Sequence, residues 1–238
     1  EAYRAESTGS ALNLNWKFAG PDNYPGLVWS AIFDKNDASG NTIIAATEGG
    51  GVWKSTNLGL TWNPMPAENN EILKASSLVQ TSNGTIYVST GVTTCKTLSN
   101  LGTGIYKYDN GGQFTVIPST VTNPDFANVS KLVVNASGRI FAATGGGLYY
   151  SDNGNDWSKI RSGYCMDVSV GSDGTVITSV GDSAYISKNG TFDNWKNLTT
   201  GASGMLPKTG YGWIVFAIAP SDPNVIYASF ATPLPDSR

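Results

Sequence analysis

The apolar positions of this chain fall in short, strand-sized clusters separated by Gly, Asn, Asp and Ser. Leu27 to Phe33, Ser76 to Gln80, Ser130 to Val134 and Met166 to Val170 each open a unit. Each is followed by two further runs: Thr42 to Thr47 and Val52 to Lys54, Thr85 to Thr90 and Ile105 to Lys107, Arg139 to Thr144 and Leu148 to Tyr150, Thr175 to Ser179 and Ala184 to Ile186. Short apolar runs bounded by turn residues are the signature of β-strands, so the pattern predicts no helix longer than about two turns between 27 and 230. A fifth unit begins with Trp213 to Pro220 and Asn224 to Phe230.

The units also share a polar box. Ser55-Thr56-Asn57-Leu58-Gly59-Leu60-Thr61-Trp62 aligns without gaps on Lys107-Tyr108-Asp109-Asn110-Gly111-Gly112-Gln113-Phe114 and on Tyr150-Ser151-Asp152-Asn153-Gly154-Asn155-Asp156-Trp157. A fourth copy, Ser187-Lys188-Asn189-Gly190, carries a two-residue insertion before Trp195. The box glycines at 59, 111, 154 and 190 recur at roughly the 40 to 50 residue period of a propeller. Three strands, a box and a last strand opening at Trp62, Phe114, Trp157 or Trp195 make a four-stranded antiparallel blade. The box reads as the turn between strands three and four, where Asx bonds the local backbone and Gly accepts positive φ. Its aromatic packs between blades. The fold class is therefore all-β, a β-propeller with about four and a half blades.

These boxes resemble the Asp-box, or BNR, repeat of sialidases, sortilin-type receptors, family-74 xyloglucanases and photosystem assembly propellers, with Asn57 and Lys188 departing at the Asp position. Trp16-Lys17-Phe18-Ala19-Gly20-Pro21-Asp22-Asn23, the Gly-Gly-Gly-Val-Trp-Lys-Ser run at 49 to 55 and Ala219-Pro220-Ser221-Asp222-Pro223-Asn224-Val225-Ile226-Tyr227-Ala228 are similar to the secreted surface propellers of gliding bacteria that use the type 9 secretion system. The resemblance implies a non-catalytic binding or scaffolding module at a bacterial cell surface, a component or cargo of a surface secretion or motility complex. Residues 1–26 form an N-terminal segment with Leu12 to Phe18 as a candidate closing strand, and 27–238 the blades, read as the N-terminal part of a larger propeller.

Composition narrows the chemistry. The 238 residues are 40% hydrophobic and 14% charged, with a formal net charge of -3 and no His. Without imidazole there is no Ser-His-Asp or Cys-His nucleophile system and no HExxH metal site. A pI near 4.9 with scattered lysines gives no nucleic-acid footprint. No apolar run approaches the roughly 20 residues that span a bilayer, and the opening at Glu1 fits a mature exported protein. Cys95 and Cys165 are compatible with one disulfide, formed if the Gly91 to Gly104 loop folds across the third blade.

Sialidase chemistry needs a converging arginine triad, and Arg4, Arg139, Arg161 and Arg238 are not placed as one. Glu48 in Ala45-Ala46-Thr47-Glu48-Gly49-Gly50 stands at about the place of the family-74 Asp, but reads as a solvated loop residue. Asp152, Asn153, Asn155 and Asp156 suffice for a turn without a metal. No catalytic residue, metal or cofactor is assigned. The boxes occupy one rim, so ligands are expected on the opposite rim or in the central channel. That rim carries the excursions Gly91 to Gly104 and Leu198 to Gly212, with Tyr24, Tyr164, Tyr211 and Trp213 as the aromatic binding residues and Trp29 beside them. The partner expected is a protein or a surface polysaccharide, presented without a membrane span of the chain's own but in attachment to an outer-membrane complex. Two other readings are a family-74-like endo-β-glucanase fragment and an assembly factor for a membrane complex.

Overall fold

The computed structural model describes residues 27–67, 72, 74–95, 98–109, 111–188, 190, 194–207 and 213–231. Tyr24, Tyr211 and Leu12 to Phe18 lie outside them. The first blade is β1 (Leu27–Phe33), β2 (Ile43–Glu48), β3 (Gly51–Ser55) and β4 (Asn63–Pro64). The second is β5 (Ala75–Gln80), β6 (Ile86–Thr90), β9 (Ile105–Tyr108) and β10 (Thr115–Val116), with the hairpin β7 (Val92–Cys95) and β8 (Leu98–Asn100) inserted after β6. The third is β11 (Val129–Val134), β12 (Ile140–Thr144), β13 (Gly147–Ser151) and β14 (Ser158–Ser162). The fourth is β15 (Cys165–Val170), β16 (Val176–Val180), β17 (Ser183–Ser187) and β18 (Lys196–Asn197), and a two-stranded fifth follows as β19 (Trp213–Ala219) and β20 (Asp222–Ala231). Pairing within the four-stranded blades is antiparallel throughout. The one α-helix among the described residues, Pro118–Val121, is a single turn.

Polar side chains fix the turns. Between first and second strands Gly84, Gly138 and Gly174 take φ of 91, 87 and 84°, while Asn83 Oδ1 accepts from Thr85 N and Asp173 Oδ1 from Thr175 N. Between third and fourth strands a serine hydroxyl accepts from the box glycine: Ser55 from Gly59 N, Ser151 from Gly154 N, Ser187 from Gly190 N. The pairings Ile43 with Ser55, Ile140 with Ser151 and Val176 with Ser187 make these serines equivalent. The gap-free alignment of the first box is thus corrected by one residue. The extra residue is absorbed by Leu58, which at φ 55° is a non-glycine residue in the left-handed region.

The core is a series of apolar layers between neighbouring blades. Ile44, Ala46 and Val52 of the first meet Leu78, Val88, Tyr106 and Phe114 of the second. Val79 and Tyr87 of the second meet Leu132, Ile140 and Tyr149 of the third, with Trp157 against them. Phe141 and Leu148 meet Cys165, Val168 and Val176, with Trp195 against them. The box aromatics Phe114, Trp157 and Trp195 pack between blades as expected. Gly154 also needs its missing side chain, because a Cβ would stand 2.0 Å from Tyr87 Oη. At the two ends of the series, β1 and the β19–β20 pair leave Leu27, Phe33, Val215 and Tyr227 exposed.

Two loop expectations change. Cys165 is a free thiol, so the bridge to Cys95 is not formed. β15 turns Cys165 into the apolar layer behind Phe141 and Leu148, with Sγ 3.1 Å from Thr178 Oγ1, and burial pushes the thiol up to about 12. The start of the Leu198 to Gly212 excursion is pinned as well. Leu198 N donates to Ala184 O, Leu206 N to Leu198 O, and both leucines pack on Ile214 and Phe216.

Gly154→Ala is expected to lower unfolding free energy by about 2 kcal/mol or more, from strained φ plus overlap with Tyr87. Gly111→Ala, at φ 106° with nothing within 4 Å of the Cβ, pays only the backbone term and loses less in urea titrations. On the acid side, hydrogen bonds from Lys159 to Asp125 and from Thr175 N to Asp173 hold both carboxyls below their ordinary 3.8. The unfolded chain then binds more protons as pH falls below about 4, so the stability present above that value is lost. The thermal midpoint should drop between about pH 5 and 3, and less steeply in Asp125→Asn.

Candidate functional site at the mouth of the axial channel

The first strands β1, β5, β11, β15 and β19 pack in succession around one axis. Four of them carry a bulge at the same place: between Val28 and Ser30, Ala75 and Ser77, Val129 and Lys131, Cys165 and Asp167. A bulge inserts one residue and re-aims its side chain. The residue after each bulge reaches the next blade. Ser30 Oγ accepts from Leu78 N at 3.2 Å, Ser77 Oγ from Leu132 N at 3.0 Å and Asp167 Oδ2 from Phe216 N at 2.7 Å. Lys131 has no acceptor to offer and instead donates to Asp167 Oδ1 at 2.7 Å and Ser169 Oγ at 3.2 Å. Ser169 Oγ in turn donates to Phe216 O at 2.9 Å.

The bulged residues Trp29, Ser76, Ser130 and Met166 line a cavity of about 280 Å³ at this end of the axis. Lys131, Asp167, Trp213 and Val215 complete the wall. Further along the axis a second space of about 460 Å³ lies between Val79, Val133, Val170 and Ile218, and Lys131 borders both. Strand direction puts the mouth at the end of the blades opposite the box turns.

The ion pair is asymmetric. Asp167 is 3% exposed and Lys131 34%. Burial pushes the Asp167 carboxyl upward, against the pull of Lys131 and of the Phe216 N–H. Both Asp167 oxygens are engaged, so of the two charges on the wall the ammonium is the more accessible.

Of the four aromatics expected to bind, Trp213 lines the mouth. Tyr164 lies on the connection from β14 to β15, half-buried, with its hydroxyl shielded from solvent and without a partner. Tyr24 and Tyr211 fall outside the described residues. Trp29 joins Trp213 on the wall, its Nε1 donating to Glu48 Oε2 at 3.0 Å. Glu48 is therefore not a solvated loop residue: it ends β2, forms an isolated antiparallel backbone bridge with Lys74 and holds a mouth indole in place. Arg139 is committed to Asp152 at 2.6 and 3.0 Å, and Arg161 stacks on Tyr185 at 3.7 Å. No arginine triad converges among the described residues. The Lys131 and Asp167 pair was missed because nothing local marks it. The one legible signal was the polar pairs Ser76-Ser77 and Ser130-Lys131 inside otherwise apolar strands.

Residues 60–224 match the family model of the DUF6242 beta propeller domain. The chain belongs to that family. None of the curated proteins matches it in sequence. Among solved structures, this DUF6242 propeller resembles YCF48 bound to D1 peptide, with TM-score 0.60 and 15% identity over 92% of this chain and 67% of that one. It resembles the GH74 xyloglucanase of Xanthomonas campestris with TM-score 0.60 and 18% identity over 85% of this chain and 35% of that one. The extracellular domain of BT3049 from B. thetaiotaomicron gives 0.63 and 16% over 87% and 27%. The chain thus spans about a third of the xyloglucanase and about a quarter of the BT3049 domain. At these identities the likeness is one of fold.

Removing the cation alone leaves a buried carboxylate. Lys131→Met should cost about 3 to 5 kcal/mol near neutral pH, more than the Lys131→Met/Asp167→Asn double variant, whose amide oxygen still accepts from Phe216 N. The unpaired Asp167 of the single variant has a folded pKa further above 3.8, so its native state holds the proton longer than the unfolded chain. Its deficit in urea titrations therefore grows as pH rises above about 4.

Proposed function

We propose that this DUF6242 propeller is a non-catalytic binding or scaffolding module of an exported bacterial surface protein, capturing its partner at the axial mouth. One observation carries the reading: the inner-strand bulges turn Trp29, Met166 and the Lys131–Asp167 ion pair toward a single concavity, whose wall Trp213 of β19 completes. Pockets that are mainly apolar with a few fixed polar groups are the usual form of ligand sites. Exposed aromatic rings supply contact area for a protein or a saccharide at low entropic cost. The extracellular placement draws support from the BT3049 domain, extracellular by its description. Attachment to an outer-membrane secretion or motility complex is the scaffold role we favour.

Binding without turnover is supported by the carboxylates. A glycosidase sets two carboxyl groups about 5 to 10 Å apart with one poised as an acid. At this mouth Asp167 has both oxygens committed to Lys131 and Phe216 N, and Glu48 holds Trp29. The test pairs a glycan and peptide array with a β-glucan cleavage assay. Trp29→Ala and Trp213→Ala should each weaken capture of whatever the array retains by about 1 to 2 kcal/mol or more. Release of reducing ends from xyloglucan that disappears in Glu48→Gln would instead make the chain a hydrolase fragment.

A further inference from the structure

The mouth is not neutral toward charge. Asp167 lines the wall almost fully buried, with both oxygens engaged, while the more exposed ammonium makes two hydrogen bonds, to Asp167 Oδ1 and Ser169 Oγ. An ammonium has three donors, so one remains for a guest. Glu48, the carboxylate held by Trp29, is not part of the cavity wall. A guest entering between Trp29 and Trp213 thus meets a mainly apolar and aromatic wall whose accessible charge is the Lys131 ammonium, set over the nearly buried Asp167, with Ser130 on the same wall. At about 280 Å³ the space lies near the lower end of small-molecule pockets, enough for one ring-sized unit rather than a folded peptide segment. Indole faces suit the C–H face of a sugar ring, and a hydroxyl and an ammonium on the same wall suit a ring that carries several acceptors.

We propose that the mouth recognises a saccharide bearing a carboxylate, a uronate unit of an acidic polysaccharide, with the carboxylate set on Lys131 and the ring on Trp213 and Trp29. This rests on the mouth being the binding site and adds the class of ligand. Lys131 is the specificity residue, because a neutral sugar leaves its free donor unpaired while a uronate completes it in surroundings that strengthen charge-assisted bonds. The Asp167 carboxylate then acts as a positioning group. It fixes the ammonium at the boundary between the two axial spaces, where a free lysine would swing toward solvent.

The test titrates the whole chain with tri-galacturonate, with neutral galactotriose and with a Glu-rich hexapeptide, read by calorimetry and tryptophan fluorescence. Tri-galacturonate should bind about tenfold or more tightly than galactotriose, weaken with added salt, and lose about tenfold in Trp213→Ala. The Lys131→Met/Asp167→Asn variant, chosen because it keeps the Phe216 N acceptor, should bind both sugars alike, while Lys131→Arg should retain the preference. Equal affinity for the two sugars, both lost in Trp213→Ala, would leave the mouth as the site and overturn its acidic preference. Tri-galacturonate binding that survives Trp213→Ala would overturn the mouth itself. Lys131-dependent capture of the peptide with neither sugar bound would assign the site to a protein partner, and no binding of tri-galacturonate by the unmodified chain would overturn the proposal outright.

Discussion

Inner strands that pack around an axis without forming a sheet with one another leave backbone N–H groups facing a neighbour that offers no ladder. A buried N–H without an acceptor is rarely tolerated. Here Ser30, Ser77 and Asp167, placed by equivalent bulges, accept from Leu78, Leu132 and Phe216 of the following blade. The apolar layers supply the bulk of the attraction between blades, but these bonds set the angular register in which the layers meet. A one-residue slip of any inner strand would orphan an N–H and turn the core face outward together.

The same device makes the site. A strand that must bulge to reach its neighbour also directs the bulged side chain into the axis, so structural necessity and concavity have one origin. Where the bonding residue is serine the wall stays neutral. In the third blade the position is Lys131, which cannot accept, and the fourth responds with an aspartate whose second oxygen still serves Phe216 N. The ion pair is thus a local variation on the repeated bond, and it sets a charged pair into the wall at this end of the channel.

The fold was legible because a blade is written in local signals. Strand-length apolar runs, Gly at positive φ between first and second strands and the Ser and Gly of the box are each decided within a few residues of sequence, and the run Leu27 to Phe33 coincides with β1. The box aromatics Phe114, Trp157 and Trp195 were placed between blades on the same grounds. The alignment slipped only in the first box. There one extra residue is taken up by Leu58 in a conformation that local preference does not favour.

Residue order along the chain is enough to specify an all-β chain of repeated antiparallel blades, with a box rim of short self-bonded turns and no imidazole for catalysis. Tertiary structure alone decided that Cys165 faces an apolar layer instead of Cys95, that Glu48 serves Trp29, and that Lys131 meets Asp167. Each of these depends on which side of a strand a residue occupies after a bulge, and on which blade lies beside it. Periodicity reports a strand and its two faces, but the partner across an axis is fixed by the angle between blades, a quantity no stretch of local sequence encodes.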